Sequence, residues 1–205
     1  RKIISDLEQI KVAVRTMPSL NELLSDEKKV TDIQELSIND ILPGARISNA
    51  KVHDAESKTF LISGAGGSIG AEITRQLLSS NPSKIILFEL SEYNLFNIER
   101  ECLAIKSAKN LDTEILPILG DIRDRKNLEH IFQKFVIDHI YHAAAYKHVP
   151  LVENENNISK AAENNILGTY NLADVAVKYN VHSFVMISTD KAVRPTNIMG
   201  ATKRF

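Results

Sequence analysis

The sequence predicts an α/β fold in which a doubly wound parallel sheet carries helices on both faces. Between residues 59 and 205, short and nearly uninterrupted apolar stretches alternate with segments whose apolar residues recur at helical spacing. Such apolar stretches are typical of parallel strands buried on both faces, and right-handed crossovers place the connecting helices on both sides of the sheet. The predicted strands are Thr59–Ser63, Lys84–Phe88, Glu114–Leu119, His139–Ala143 and Ser183–Ile187.

The helices between these strands are indicated by apolar residues three or four positions apart. One such set is Leu95, Ile98 and Cys102, and another is Leu128, Ile131, Phe132 and Phe135. Each set would place one face of its helix on the sheet. A further helix is predicted over 71–78, directly after a glycine-rich loop.

The composition excludes several classes of protein. The 205 residues carry a formal charge of −1, so no overall basic field attracts nucleic acid or an anionic membrane. The single cysteine, Cys102, cannot form an internal disulfide and is typical of a reducing compartment. No apolar run approaches the roughly 18 residues that span a bilayer. We therefore expect no nucleic-acid partner and no membrane-spanning segment among these residues.

Residues 1–45 have a different pattern. Apolar positions from Ile3 to Ile10 indicate a helix, Val12–Val14 a strand, and the residues that follow a second, capped helix. We interpret this α-β-α fragment as the C-terminal part of a preceding α/β domain, joined by a linker over 46–58 to the main domain over 59–205. An N-terminal extension packed on the main domain is the alternative.

The glycine-rich loop follows the first predicted strand of the main domain. Gly64 permits a tight turn, Gly67 lets the backbone approach a pyrophosphate, and Gly70 lets the helix pack closely on the strand. Together with Ser68 and Ile69 they lead into the predicted helix, whose N-terminus offers unpaired N–H groups and partial positive charge to phosphates. The loop predicts dinucleotide binding by a Rossmann-type domain. A tight turn without a ligand is the alternative.

Two acidic residues follow the next two strands. Glu89 could accept hydrogen bonds from both ribose hydroxyls and would repel a 2′-phosphate, which favours NAD over NADP. A surface glutamate without a ligand is the alternative. Asp121, with its neighbour Ile122, is predicted to meet the edge of the adenine; equally, Asp121 could cap the helix that follows.

Three small residues, Ala143, Ala144 and Ala145, end the fourth predicted strand and would let a flat cofactor lie against the backbone. His142 and His148 flank them, but no set of cysteine, aspartate and histidine with zinc spacing accompanies the pair. We therefore predict no metal site.

The fifth strand is followed by Ser188, Thr189, Asp190 and Lys191. Ligands and chemistry lie at the carboxyl ends of strands in doubly wound folds, and this run supplies a hydrogen-bond donor, an acid and a base. A polar loop with a helix cap is the alternative interpretation.

Taken together, these motifs resemble the extended short-chain dehydrogenase/reductases. More narrowly, residues 59–205 resemble the UDP-N-acetylglucosamine 4,6-dehydratases of bacterial capsule, O-antigen and glycan biosynthesis. The distinctive motifs are the runs over 142–150 and over 188–192, and the others are the glycine loop, 89–95, 120–124, 165–169 and 199–203.

This resemblance implies a redox-neutral reaction on a UDP-sugar. Carbon 4 is oxidised by NAD, water is eliminated across carbons 5 and 6, and the hydride returns to carbon 6. By this resemblance Thr189 hydrogen-bonds the carbon 4 oxygen, Asp190 is the acid at the carbon 6 hydroxyl, and Lys191 takes the carbon 5 proton as a neutral amine. Burial or a cationic neighbour would favour that neutral form.

The resemblance also implies cofactor contacts outside the glycine loop. Lys203 would hold the nicotinamide ribose, Asn165 would contact the cofactor, and Lys147 would line the cofactor or sugar site. A tyrosine four residues before the lysine usually takes the hydroxyl proton in the superfamily, but Met199 stands here and a thioether has no proton to exchange. One branch of the dehydratases shares this methionine. The base for the carbon 4 hydroxyl is therefore unassigned, with Asp190 as the candidate.

Further expectations concern the longer protein that the resemblance implies. The sheet would be truncated at Phe205, before the remaining strand and most of the sugar-nucleotide-binding region, so this piece is expected to bind cofactor without turning over substrate. We expect a homo-oligomer at the cytoplasmic face of the bacterial inner membrane, attached only through segments outside these residues. Two other functions stay open: a nucleotide-sugar 4-epimerase or reductase of the same fold, and a non-catalytic NAD-binding domain.

Overall fold

The structure, a computed structural model, describes residues 55–205 and two short segments, 15–16 and 34–35. The chain divides into two units, 1–50 and 51–205. In the first, strand β1 (Arg15–Thr16) pairs antiparallel with β2 (Gln34–Glu35). The helices and the strand predicted before residue 45 otherwise lie outside the described residues.

The second unit contains a five-stranded parallel sheet, which confirms the predicted fold class. Its strands lie in the order β5-β4-β3-β6-β7, and every neighbouring pair is parallel. The strands are β3 (Thr59–Ser63), β4 (Lys84–Glu89), β5 (Glu114–Leu119), β6 (His139–His142) and β7 (Ser183–Met186). All five were predicted, with ends that differ by at most one residue.

Seven α-helices connect and flank these strands within 55–205. They are α1 (Ser68–Leu78), α2 (Glu92–Lys109), α3 (Arg125–Lys134), α4 (Val149–Val152), α5 (Glu155–Ala162), α6 (Thr169–Lys178) and α7 (Ile198–Arg204). A π-helical turn, Glu163–Gly168, joins α5 to α6, and 3-10 turns lie at Ala55–Ser57 and Asp190–Ala192. Each helix within 55–205 is either too short or too polar to span a bilayer.

Two apolar clusters cover the two faces of the sheet. Successive residues of a strand point to opposite faces, so Phe60 and Ile62 pack with α1 and α2, whereas Leu61 packs with α3 and α6. The central strands are therefore apolar at almost every position, as the sequence indicated. Strand β5 lies at the edge of the sheet, and its Leu119 is exposed.

The helices begin and end for local reasons. The Ser91 hydroxyl caps α2 by accepting from the Asn94 amide, and the Asp124 carboxylate caps α3 by accepting from the Asn127 amide. Helix α1 begins at Ser68, three residues before the predicted start, so the last glycine of the loop lies in its first turn. Phe135 follows α3 as an extended residue.

Ala55, in the predicted linker, is buried in the first apolar cluster.

Candidate functional site

The glycine loop follows β3, the central strand of the sheet, where the strand order reverses. Strand β4 lies on one side of β3 and β6 on the other. Gly64 has a φ of 70°, and a Cβ atom there would lie 2.8 Å from the Ala144 backbone. A Cβ atom on Gly70 would overlap the Gly64 carbonyl oxygen. Gly64 is therefore required by its own φ and by the neighbouring Ala144 backbone, and Gly70 by the backbone of the loop. Gly67 has more room, since its Cβ would lie 3.3 Å from that oxygen.

The first turn of α1 is open to a ligand. Gly67 occupies the N-cap position and has no side chain to cap the helix. The amides of Ser68, Ile69 and Gly70 have no hydrogen-bond partner within residues 55–205. Lys147 adds a cation at this end, with its Nζ 3.3 Å from the Ser68 hydroxyl. Three free amides and a nearby ammonium fit a pyrophosphate.

The Glu89 side chain holds the loop from the side of β4. It is 8% exposed, and one oxygen accepts from the Gly66 amide at 3.0 Å. The other oxygen accepts from the amides of Leu90 and Ser91, each at 3.0 Å. A carboxylate has about four acceptor positions. Glu89 therefore retains room for roughly one ribose hydroxyl, where the sequence interpretation assigned it two.

Asp121 does not cap a helix, because Asp124 is the cap of α3. Its carboxylate is instead bound by Arg123, whose amide and guanidinium reach both oxygens at 2.5–3.0 Å. The hydrogen bonds from Arg123 outweigh partial burial and lower the pKa of Asp121. Arg123 also lies 3.6 Å from Glu163 of the π-helical turn. The helix-cap alternative for Asp121 is thus wrong, and its carboxylate is engaged by its own neighbour.

A cavity joins these groups at the carboxyl ends of β3, β4, β5 and β6. The sequence predicted most of its wall, and the fold brings together Gly64, Gly67, Glu89, Asp121, Ile122, Ala143, Ala144 and Ala145. Two lining amides, Asn94 and Asn164, were missed. The local sequence pattern gives no sign that Asn94 lines the cavity. In the structure α2 passes close to the loop at Gly66, where an added Cβ atom would lie 2.5 Å from the Asn94 Cβ.

Asn165 lies beside the cavity but is not among its lining residues. Its amide oxygen accepts from the Tyr146 amide at 2.8 Å, and its amide nitrogen donates to the Tyr146 carbonyl and to the Thr202 hydroxyl, each at 3.0 Å. The side chain thereby joins the loop that carries Lys147 to helix α7. The structure supports a positioning role for Asn165, and the predicted direct cofactor contact stays a prediction.

His142, considered above only as a metal ligand, is fully buried and bonded on both ring nitrogens. The Thr169 hydroxyl donates to the Asn165 carbonyl, so it must accept from Nε2 of His142, 2.8 Å away. Nδ1 then accepts from the Ser63 hydroxyl at 2.6 Å. Burial, with a contribution from the Lys203 cation, lowers the pKa of His142 to about 4. The neutral imidazole therefore ties β3 and β6 to the start of α6.

The proposed chemical residues lie at the end of β7, the neighbour of β6. Thr189 is the cap of the 3-10 turn, as the polar-loop interpretation anticipated, and its hydroxyl donates to the Asp190 carboxylate at 2.9 Å. That hydrogen bond, followed by the charge of Lys191, lowers the pKa of Asp190. The Asp190 side chain is 90% exposed and lies 3.7 Å from the Lys191 ammonium, which is itself half exposed. The described residues thus favour an ionised carboxylate and do not bury Lys191.

Lys203 and Met199, four residues apart on α7, have different surroundings. The Lys203 ammonium donates to the Ile187 carbonyl at 2.9 Å, which leaves further donors for a ligand, and burial lowers its pKa. The Met199 side chain is buried with Val152 and Ala161 in a small apolar cluster between α4, α5 and α7. Met199 therefore packs in the protein interior and supplies no group for proton transfer.

Comparison with known families gives one that spans the whole of this site. The family described as "Polysaccharide biosynthesis protein" matches residues 60–205. The capsular polysaccharide biosynthesis protein CapD of Staphylococcus aureus is 40% identical over 192 residues, which are 92% of this chain and 31% of that protein. The inverting UDP-N-acetylglucosamine 4,6-dehydratase of Campylobacter jejuni is 35% identical over 147 residues, 71% of this chain and 40% of that enzyme. The chain thus spans between about a third and two fifths of these relatives.

Solved structures show the same fold. Pen from Bacillus thuringiensis matches with a TM-score of 0.64 and 34% identity, over 74% of this chain and 43% of that chain. A UDP-glucose 4-epimerase from Bifidobacterium longum, solved in complex with NAD+ and UDP, matches with a TM-score of 0.59 and 22% identity, over 72% and 46%. The second likeness concerns the fold alone.

Proposed function

Because this chain belongs to the family of polysaccharide biosynthesis proteins, we propose that it is the dinucleotide-binding part of an NAD-dependent nucleotide-sugar 4,6-dehydratase. One observation carries the proposal. The cavity beside the glycine loop reaches the end of β6, and the Thr189-Asp190-Lys191 run follows the neighbouring strand β7. The relative from Campylobacter jejuni, which bears the name of this activity, gives the substrate class.

The dinucleotide fits the residues that would hold it. Free amides of α1 and the Lys147 ammonium would bind the pyrophosphate, Glu89 one hydroxyl of the adenosine ribose, and Lys203 the nicotinamide ribose. A carboxylate at the Glu89 position would repel a 2′-phosphate, which favours NAD over NADP. When bound, this cofactor would supply the reversible removal of hydride from the sugar.

Asp190 can serve as both base and acid in one cycle. Its carboxylate is held in the ionised form by Thr189 and Lys191, so in the resting protein it is a proton acceptor. We therefore assign Asp190 as the base that takes the proton of the carbon 4 hydroxyl, a role that the buried Met199 cannot fill. The same proton then goes to the carbon 6 hydroxyl, which leaves as water. Lys191 takes the proton from carbon 5, for which its ammonium must first release a proton to solvent and become the neutral amine. Loss of water leaves Asp190 ionised again, and delivery of a proton from Lys191 to carbon 5 restores the neutral amine.

The chemistry at carbon 6 separates this proposal from an epimerase. An epimerase inverts carbon 4 without an elimination and so needs neither an acid at carbon 6 nor a base at carbon 5. The Thr189-Asp190-Lys191 run, with an ionisable group for each of those positions, favours the dehydratase.

Mass spectrometry of the product tests the proposal. The full-length protein is incubated with NAD and UDP-N-acetylglucosamine, and we expect a product lighter by one molecule of water that carries a ketone. A product of unchanged mass would indicate an epimerase. An unchanged substrate in the presence of bound NAD would indicate a non-catalytic domain.

A further inference from the structure

The 3-10 turn Asp190–Ala192, which carries the proposed acid and base, lies directly against helix α7. Residues 193–197 connect the turn to the helix, so the two elements are close in the chain as well as in space. Gly200, in the first turn of α7, is buried where they meet. Glycine forms helices less readily than alanine, so its presence here requires a reason.

The reason is that the backbone of the turn fills the space a side chain would need. A Cβ atom on Gly200 would lie 2.4 Å from the Lys191 carbonyl oxygen and 3.0 Å from its carbonyl carbon. Non-bonded atoms in ordinary contact are about 3.5 Å apart, so an alanine would separate helix and turn by roughly 1 Å. The φ of Gly200 is not positive, so its own backbone would accept an alanine. The turn alone therefore requires the glycine.

Helix α7 is fixed more firmly than the turn. The Met199 side chain is buried in an apolar cluster, and the buried Thr202 hydroxyl accepts from the Asn165 amide at 3.0 Å. The side chains of the turn, in contrast, are 90% exposed at Asp190 and half exposed at Lys191. An added methyl group would therefore displace the turn, and the helix would stay in place.

Arg204, at the end of α7, provides a second contact with this segment. Its guanidinium donates to the carbonyl of Val193, directly after the turn, at 2.7 Å. This hydrogen bond draws the chain towards the helix, and the contact at Gly200 limits how closely it can approach. Together the two contacts fix the position of the Lys191 backbone relative to α7.

We propose that Gly200, assisted by Arg204, is a positioning residue for the base Lys191. This inference rests on the proposed function, in which the Lys191 amine takes the proton from carbon 5 of the sugar. Helix α7 also carries Lys203, which would hold the nicotinamide ribose, so one helix would place base and cofactor relative to each other. Proton transfer needs groups within hydrogen-bond reach, and a misplacement of about 1 Å can lower a rate about a hundredfold.

Steady-state kinetics of G200A in the full-length protein test this role. With NAD and UDP-N-acetylglucosamine, we expect kcat to fall about a hundredfold, whereas KM and the dissociation constant of NAD should change less than about twofold. R204M removes the hydrogen bond to Val193 without adding a clash and should lower kcat about fivefold. A201S, which adds one atom at an exposed position of the same helix, is the matched control and should leave turnover unchanged.

A double variant separates positioning of the base from general damage to the site. If Gly200 acts through Lys191, K191A/G200A should turn over no more slowly than K191A, because the group that Gly200 positions is already absent. A general defect would instead slow K191A by the same factor as it slows the wild type. That result would overturn the proposal.

The outcomes also separate this inference from the proposed function. Turnover of G200A equal to that of the wild type, in a protein where K191A loses turnover, would overturn the role of Gly200 alone. A wild-type protein that does not dehydrate the sugar would contradict the proposed function itself. Should G200A fail to fold, R204M decides: unchanged turnover overturns the proposal, and a fall that disappears in K191A/R204M supports it.

Discussion

The two ends of the site differ in how completely the fold constructs them. At the glycine loop, Gly64 and Gly70 interlock with the backbone around them, and Glu89 and Asp121 already hold hydrogen bonds. At the end of β7, the Asp190 side chain is 90% exposed and Lys191 is half exposed. The loop end is preorganised for binding. The reactive groups at the β7 end make few contacts with the other described residues. Substitutions at the loop end should therefore affect folding and binding together, and those at the β7 end should affect chemistry alone.

The largest effect is expected at the β7 end. K191A should lower turnover about a thousandfold, because it removes the general base, yet change the free energy of unfolding by less than about 0.5 kcal/mol. Steady-state kinetics and urea unfolding measure the two quantities. K126A, at an exposed lysine of α3, is the control and should change neither. Unaltered turnover in K191A would refute its assigned role.

At the loop end, G70A should lower the free energy of unfolding by at least about 3 kcal/mol, because the added Cβ overlaps the Gly64 carbonyl. G67A is the matched control, since its Cβ would meet only that oxygen, at 3.3 Å. Urea unfolding of both variants is the measurement. If the two lose equal stability, the loop backbone is not interlocked as described.

Acid should also act on the loop end, through His142. Its pKa is about 4 in the folded protein and near 6.5 when unfolded, so below pH 6.5 the unfolded chain binds a proton that the folded one does not. Stability from this group is complete above pH 6.5, and about 3 kcal/mol of it is lost as the pH falls to 4. Urea unfolding between those pH values should show this loss. It should be largely absent from H142N and retained in H130Q, whose histidine is exposed on α3.

A smaller effect is expected for cofactor choice. E89Q removes the charge that would repel a 2′-phosphate, so the preference for NAD over NADP should fall by about tenfold. Calorimetric titration with both dinucleotides measures the ratio. E92Q, at an exposed glutamate in the first turn of α2, should leave it unchanged. A ratio unaltered in E89Q would remove the basis for preferring NAD.

The sequence predicted those features that depend on local pattern. The five strands follow from runs of apolar residues, and Gly64 and Gly70 follow from spacing, because the positive φ of Gly64 and the packing of Gly70 on the Gly64 carbonyl are set within the loop. The cavity wall was predicted because the ends of parallel strands meet at one edge of the sheet. Such inferences need no knowledge of side-chain conformation.

The roles of Asp121, Asn164 and Asn165 could not be predicted in this way. Whether Asp121 faces a ligand depends on the conformation of Arg123, and which of two adjacent asparagines faces the cavity depends on a π-helical turn and on the distant Tyr146 backbone. The two bonds of His142 likewise join residues far apart in the sequence. Hydrogen bonds of this kind are properties of the folded arrangement.

Isotope incorporation tests most directly whether the β7 end performs proton chemistry. The full-length protein is incubated with NAD and UDP-N-acetylglucosamine in D₂O, and the product is examined by NMR at early times. Because Lys191 would exchange its proton with solvent, we predict a 4-keto-6-deoxy sugar with deuterium at carbon 5 and none from solvent at carbon 6. A product without deuterium at carbon 5, or one that keeps its carbon 6 hydroxyl, would contradict this account.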